Sequence, residues 1–375
     1  MDKKNKNPNV PNLRFSSFTD LFRLYTLKDV LQRVSIPVNV EENKLYYQIG
    51  IRSHSKGIFH KEAETGKQIG NKRIFWIEPN CMILNIVFAW EQAVAKTSEK
   101  EVGMVASHRF PMYKVLNNSL DYIVDFFKTE KGKQLLQMAS PGGAGRNKTL
   151  NQDFFLNSKI YLPSLNEQLK TSNLIDLIED RIETQSKIID SYFSLSKAIS
   201  NTLIGQSKGN TRLRECLNCY SSNTMESVIK QEDLGDYPVY GANGIIKKIN
   251  NYEIEYPSIA IVKDGSGVGK MFKLSGKYSI LSTLNYLTSK PGYDIDYIYY
   301  ALKQKSLKKY VVGSGIPHIY FKDYEQEKIY IPQNELQQQN ITSVLQSIDE
   351  EIGNEIKQLK NYELLKKYLL KNMFV

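Results

Sequence analysis

The chain repeats itself, and that repeat limits its possible folds more than any other feature. Residues 153–163 read DFFLNSKIYLP and residues 323–332 read DYEQEKIYIP, with Gly143-Ala144-Gly145 and Gly313-Ser314-Gly315 upstream at an offset of 170. Each copy then opens a long run of apolar residues spaced alternately three and four apart. The first ladder is Thr171, Ile175, Ile178, Ile182, Gln185, Ile189, Tyr192, Ser196, Ile199 and Leu203. The second is Ile341, Leu345, Ile348, Ile352, Glu355, Leu359, Tyr362, Lys366, Leu369 and Met373, again at an offset of 170. A spacing that averages 3.5 residues over more than four heptads predicts a coiled-coil seam. Ordinary globular helices average only ~11–12 residues, so two separate surface helices explain the ladders less well.

Helix starts are marked in both copies. Ser164-Leu165-Asn166-Glu167 has the S-x-x-E form of a capping box, and Asn334 with Gln337 takes the same places in the second copy. Residues 1–162 and 205–331 read differently, as short strand-like runs broken by Gly, Pro and Asn, such as residues 44–49 and 258–262. The expected order is mixed domain (1–162), first spacer helix (163–204), mixed domain (205–331) and second spacer helix (332–375), with a linker at 205–210. The expected fold class is α+β: two mixed α/β domains and two long helices that meet in a coiled coil.

Charge separates these parts. The chain carries a net +10. Residues 1–162 hold 24 basic against 15 acidic residues and residues 205–331 hold 17 against 13, while both helical segments are slightly acidic. Positive mixed domains on a neutral-to-acidic spine suit contact with phosphate.

Several other chemistries lack their residues. Three cysteines exclude a disulfide scaffold. The longest apolar run, residues 81–90, is about half the ~20 residues of a membrane span. The opening residues are charged, with no secretory core, so a cytoplasmic location is expected. Residues 264–271 (DGSGVGKM) resemble a phosphate loop, but Asp264 replaces the first glycine and Met271 the magnesium-holding hydroxyl, which leaves a turn between strands. Cys216-Leu217-Asn218-Cys219 is a single C-x-x-C, and the four histidines show no metal-ligand spacing. No nucleophile elbow or zinc-protease motif occurs. The chain is not expected to be an enzyme.

The two IYLP/IYIP junctions, the run Tyr237-Pro238-Val239-Tyr240-Gly241-Ala242-Asn243-Gly244-Ile245, the run Lys263-Asp264-Gly265-Ser266-Gly267 and the run Gly313-Ser314-Gly315-Ile316-Pro317-His318-Ile319 resemble type I restriction-modification specificity subunits along essentially the whole chain. That resemblance implies two target recognition domains, each reading one half of a bipartite, asymmetric DNA sequence, separated by the two long helices packed as an antiparallel coiled coil in a pseudo-two-fold internal repeat. It implies that the coiled coil docks two modification (methyltransferase) subunits, that restriction/translocase subunits join them, and that no membrane is involved. It also implies that the chain itself binds no cofactor, with S-adenosylmethionine, ATP and Mg used by partners. At ~1.5 Å per residue, residues 171–203 span roughly 50 Å, an upper scale for half-site separation. A specificity component of a type II-like modification enzyme, or a coiled-coil adaptor with basic RNA- or membrane-binding domains, are the competing expectations.

Base edges are read by Arg or Lys at guanine and Asn or Gln at adenine. Candidate DNA contacts in the first domain are Arg52, His54, Lys56, Lys72, Arg73, Arg109, Arg146, Asn147 and Lys148. In the second they are Tyr240, Asn243, Lys263, Ser266, Lys270 and His318, at the quoted motifs. The expected coiled-coil interface is Ile175, Ile178, Ile182, Ile189, Tyr192, Ile199, Leu203, Leu345, Ile348, Ile352, Leu359, Tyr362, Leu369 and Met373.

Overall fold

A computed structural model describes residues 9–142, 148–229 and 235–375. The ladders become two continuous helices, Leu165–Ser200 and Glu335–Asn372. The first ends in a single wide turn, Asn201–Gly205. All fourteen expected interface residues are buried or half-buried. Gln185, one of the polar rungs, is buried too. The chain packs as two compact units that divide the helices between them: residues 1–185 with 358–375, and residues 186–357.

In the first unit, strand Arg23–Thr26 pairs antiparallel with Lys159–Leu162, bringing the two ends of the domain together. One helical turn, Leu27–Val30, leads into strand Leu31–Val34. That strand begins a four-stranded antiparallel sheet, ordered 31–34, 112–115, 82–84, 94–96. Helix Leu120–Lys128 starts where the Ser119 hydroxyl accepts from the Tyr122 N–H, satisfying one of the free amides of the first turn. Its apolar face joins Leu27, Tyr113 and Phe155 in one core. Both spacer helices enter this core, the first through Ile175 and the second through Leu369 and Met373. The early turns of one helix therefore lie against the late turns of the other, which is antiparallel pairing.

The second unit follows the same plan. Strand Thr211–Arg212 pairs antiparallel with Lys328–Ile329, and the turn Leu213–Cys216 leads into strand Leu217–Ser221. The sheet is ordered 217–221, 284–289, 258–262, 271–274, all antiparallel. Helix Ile295–Lys303, capped by Asp294, covers it. Ile341 and Leu345 of the second spacer helix and Ile199 and Leu203 of the first complete the core. Here the late turns of the first helix meet the early turns of the second. In both sheets the first strand lies at one edge, beside the last strand, with the middle two beyond.

The helix starts also match in detail. Gln168 Nε2 donates to the Pro163 carbonyl at 3.0 Å, and Gln338 Nε2 donates to the Pro332 carbonyl at 2.8 Å. Asn334 Oδ1 accepts from the Leu336 N–H, as a cap should. Glu167 departs from the expected capping box, because its carboxylate takes two 2.7 Å hydrogen bonds from Arg14. A bidentate guanidinium is a stronger partner than one backbone amide.

What fixes each globe to its helix differs between the units. In the first, Lys128 pairs with Asp125 at 2.8 Å and Glu179 at 2.7 Å, and Glu179 also takes Lys366 at 2.8 Å. In the second, uncharged donors reach carboxylates: the Tyr300 hydroxyl donates to Asp349 at 2.9 Å, and Gln346 donates to Asp296 at 2.8 Å, where Lys273 also pairs at 3.3 Å. Burial pushes the Asp125 carboxyl up to about 6 despite Lys128, with Glu179 and Asp176 adding to the rise. At Lys128 burial opposes the charge but two carboxylates outweigh it, so its pKa rises.

Two outcomes follow for stability. Ile175 is fully buried, so Ile175→Ala should cost about 2–5 kcal/mol in urea unfolding of the first unit, while the neighbouring Leu177→Ala, 62% exposed, should stay within about 0.5 kcal/mol. Because the folded Asp125 holds its proton more tightly than the unfolded chain, its contribution is present below pH ~4 and lost as pH rises through about 6. Relative to Asp125→Asn, the native chain should therefore gain stability as pH is lowered from 7 to 4, by on the order of 1–3 kcal/mol. A constant difference across that range would contradict the assignment.

Candidate nucleic-acid interface

In the first unit the expected contacts meet around one backbone segment, residues 85–92. Strands Ile49–Ile51 and Ile58–His60 form a hairpin whose tip carries Arg52, His54 and Lys56. His54 and Ser55 adopt positive φ (60° and 54°), a left-handed bend that non-glycine residues rarely make. That bend aims their N–H groups at the Glu91 and Gln92 carbonyls, and the Ser53 hydroxyl donates to Glu91 Oε2 at 2.9 Å. Arg52 lies over the Phe59 ring at 4.9 Å, which holds the guanidinium flat at the surface.

At the other end of the segment, the Ile86 N–H donates to the Arg109 carbonyl and the Leu150 N–H to the Ile86 carbonyl. This places exposed Arg109 beside the irregular segment that carries Lys148. The Lys148 ammonium lies 5.1 Å above the Trp90 ring. His108 donates its N–H to the Arg73 carbonyl at 3.2 Å, where strands Ile74–Trp76 and Val105–Ser107 end, so exposed Lys72 and Arg73 join the same border. Arg146 and Asn147 lie outside the described residues.

In the second unit five of the six expected residues fall on three interlocked loops, and the sixth, Tyr240, lies within strand Tyr237–Gly241. Residues 263–270 are a hairpin loop between strands Ser258–Val262 and Met271–Leu274, with Gly265 (φ 91°) and Gly269 (φ 82°) making the reversals. No helix follows, so the phosphate-loop likeness of this segment has no structural counterpart. Its Gly265 N–H donates to the Pro317 carbonyl, and the Ile319 N–H donates to the Lys263 carbonyl. The third loop is the Ala242-Asn243 turn between strands Tyr237–Gly241 and Gly244–Ile249, joined to the first by Lys270 Nζ donating to Asn243 Oδ1 at 3.0 Å.

Within this cluster the residues differ in reach. Asn243, Ser266 and Lys270 are exposed. Lys263 is half-buried and paired with Asp264 at 2.8 Å. His318 is half-buried, edge-on to Tyr320 at 5.1 Å, with Nδ1 3.2 Å from the Ile316 carbonyl. Tyr240 packs edge-on against Tyr278 and is a partner of the core more than a surface group.

Burial pushes the Cys216 thiol up to about 12 and Cys219 up to about 11, so both stay protonated and inert. Among the described residues no group of three His, Cys, Asp or Glu side chains could hold a metal, and no helix is long and apolar enough to cross a membrane. A cleft of about 590 Å³ in the first unit is bordered by Lys56, Lys96, Asp121, Lys128 and Glu179. Lys96 pairs with Asp121 and Lys128 with Glu179.

Sequence reasoning missed two residues that the geometry singles out. Trp90 closes an apolar run and gave no sign that a lysine would lie on it. Ile316 sits inside a quoted motif but was passed over because it carries no hydrogen-bonding group.

Comparison with known proteins adds the following. Residues 211–361 match the family described as the type I restriction modification DNA specificity domain. The chain is 34% identical over 169 residues to the type I restriction enzyme MjaVIII specificity subunit of Methanocaldococcus jannaschii, a match over 41% of this chain and 39% of that protein. The chain thus spans about two fifths of that curated relative. The crystal structure of a type I restriction-modification S subunit from M. genitalium shares the fold at a TM-score of 0.67 and 15% identity, covering 98% of this chain and 99% of that one. A structure from a study of complex assembly and conformational transition of the type I R-M system matches at a TM-score of 0.53 and 14% identity, over 93% and 96%.

Gly313 is sensitive to a change that adds no charge. Its φ is 98°, and an added Cβ would lie 2.4 Å from the Ile316 carbonyl oxygen. Gly313→Ala should open the clasp in which Val312 and His318 exchange backbone hydrogen bonds of 2.9 and 2.8 Å. Hydrogen exchange at those two amides should accelerate at least about tenfold, with little change in Tm. Unchanged protection there would show the loop tolerates the side chain.

Proposed function

We propose that this chain is a member of the specificity-subunit family of type I restriction-modification systems, that it reads two separate stretches of duplex DNA, one with each globular unit, and that it catalyses no reaction itself. The observation that carries the proposal is the duplicated plan: two four-stranded sheets of identical strand order, the first with exposed basic residues such as Arg52, Arg73 and Arg109 on its loops and the second with exposed Asn243, Ser266 and Lys270 on its loops. One such set of loops suits one half-site, because loops held by a rigid sheet present side chains to a groove at fixed positions. Two give a bipartite target. Since the two loop sets differ in sequence and build, the two half-sites differ as well.

The spacer helices suit a second role. Besides the buried ladder, each carries exposed apolar residues: Leu177, Phe193 and Leu195 on the first, and Ile356, Leu364 and Tyr368 on the second. Apolar side chains spread over two long helices serve a partner surface better than water. In this reading the helices dock two modification subunits, which restriction subunits then join. S-adenosylmethionine, ATP and Mg act on those partners, and the complex works in the cytoplasm, where the DNA is.

Selection from random duplexes by the full chain assembled with its modification subunits should return one split, asymmetric sequence. Affinity should fall by about 10³–10⁵ between 50 and 200 mM salt if six to ten phosphates are contacted. Replacing residues 1–162 with those of a relative should change one half of the selected sequence only. Enrichment of no sequence, or change in both halves, refutes the proposal.

A further inference from the structure

The most exposed large apolar side chain among the described residues is Ile316, at 71%. Single exposed apolar residues are common and by themselves mean little. Ile316 differs in how firmly it is held out. The loop 312–318 is closed by the reciprocal Val312–His318 hydrogen bonds, and its far side is tied to residues 263–265 through Pro317 and Ile319. The Ile316 carbonyl is held too, lying against Gly313, which has no side chain to displace it, and 3.2 Å from His318 Nδ1. A β-branched residue adds stiffness at χ1, so presenting it to a ligand costs little side-chain entropy.

Its surroundings are polar. The loops that hold it also carry Asn243, Ser266 and Lys270, all exposed. An asparagine amide is the side chain suited to adenine N6 and N7, atoms displayed only in the major groove. In that groove the one apolar feature of any base pair is the thymine C5-methyl. An apolar tip on a loop that is joined through residues 263–270 to an amide reader therefore has one complementary group to meet.

We propose that Ile316 is a specificity-determining residue that contacts a thymine methyl in the half-site read by the second unit. The inference rests on the DNA-reading function proposed above and adds to it one residue and one base. A wedge that pries base pairs apart is the competing use of an apolar side chain, and it makes a different prediction.

The experiment is a double substitution. With the target selected by the complex, each thymine of the second half-site is replaced in turn by deoxyuridine, which removes only the methyl group. For the native complex one position should weaken binding about three- to tenfold, the scale of one or two buried methyl-sized groups. Ile316→Ala should bind the thymine site more weakly by a similar factor, show no further loss on that deoxyuridine, and keep its Tm. Ile316→Val should retain most of the preference. Deoxyuridine substitutions that all bind alike, or Ile316→Ala complexes that keep the full methyl preference, would overturn the inference. So would a rise in 2-aminopurine fluorescence beside the site that depends on Ile316 and not on the methyl, which is the signature of a wedge. If no sequence is selected at all, the DNA-reading function fails first, and the two failures are told apart.

Discussion

Neither globular unit has a complete core without both spacer helices. Ile175 and Leu369 close the first, and Leu203 and Ile341 line the second. The apolar ladder thus has two tasks on one face: it pairs helix with helix and it floors a domain at each end. A 3.5-residue repeat that served only a coiled coil could slip by a heptad. Here a slip would carry Ile175 or Leu345 out of a packed domain core. Register is set by the globes, and polar rungs such as Gln185 are tolerated between them.

The two attachments use different physics at corresponding places. Asp125, Lys128, Glu179 and Lys366 form a charged network, whereas in the second unit Tyr300 reaches Asp349 and Gln346 reaches Asp296 through uncharged donors. A buried ion pair is weak evidence of stability, since desolvation offsets attraction. The network is better read as a device of orientation. Asp125 lies on the same helix as Lys128, so it is the reach to Glu179 on the spacer helix that fixes how helix Leu120–Lys128 is turned.

The spine was legible because a helix writes its buried face into sequence every three or four residues. The common plan of the domains was not. Their strands run two to six residues, too short for alternation to stand out. Moreover, the insertions differ: the strand that begins at Leu31 corresponds to one at Leu217, but helix Leu120–Lys128 corresponds to Ile295–Lys303 and strand Lys159–Leu162 to Lys328–Ile329. The offset therefore drifts from 186 to 175 to 169 along the domain, and a fixed-offset comparison finds only its end. Similarly, composition and motif picked out Lys270 and Asn243 separately. Their meeting depends on backbone bonds between segments far apart in the chain, which no local pattern records.

The division of the chain has a consequence for how it is made. The second unit is one continuous stretch, residues 186–357, while the first needs residues 1–185 together with 358–375. As the nascent polypeptide emerges, the globe begun first must wait for Leu369 and Met373 before its floor is laid, and the globe begun later can finish ahead of it. During that interval Phe127, Phe155 and Ile175 have no cover from the second helix, so the early half of the chain is the part most in need of a chaperone.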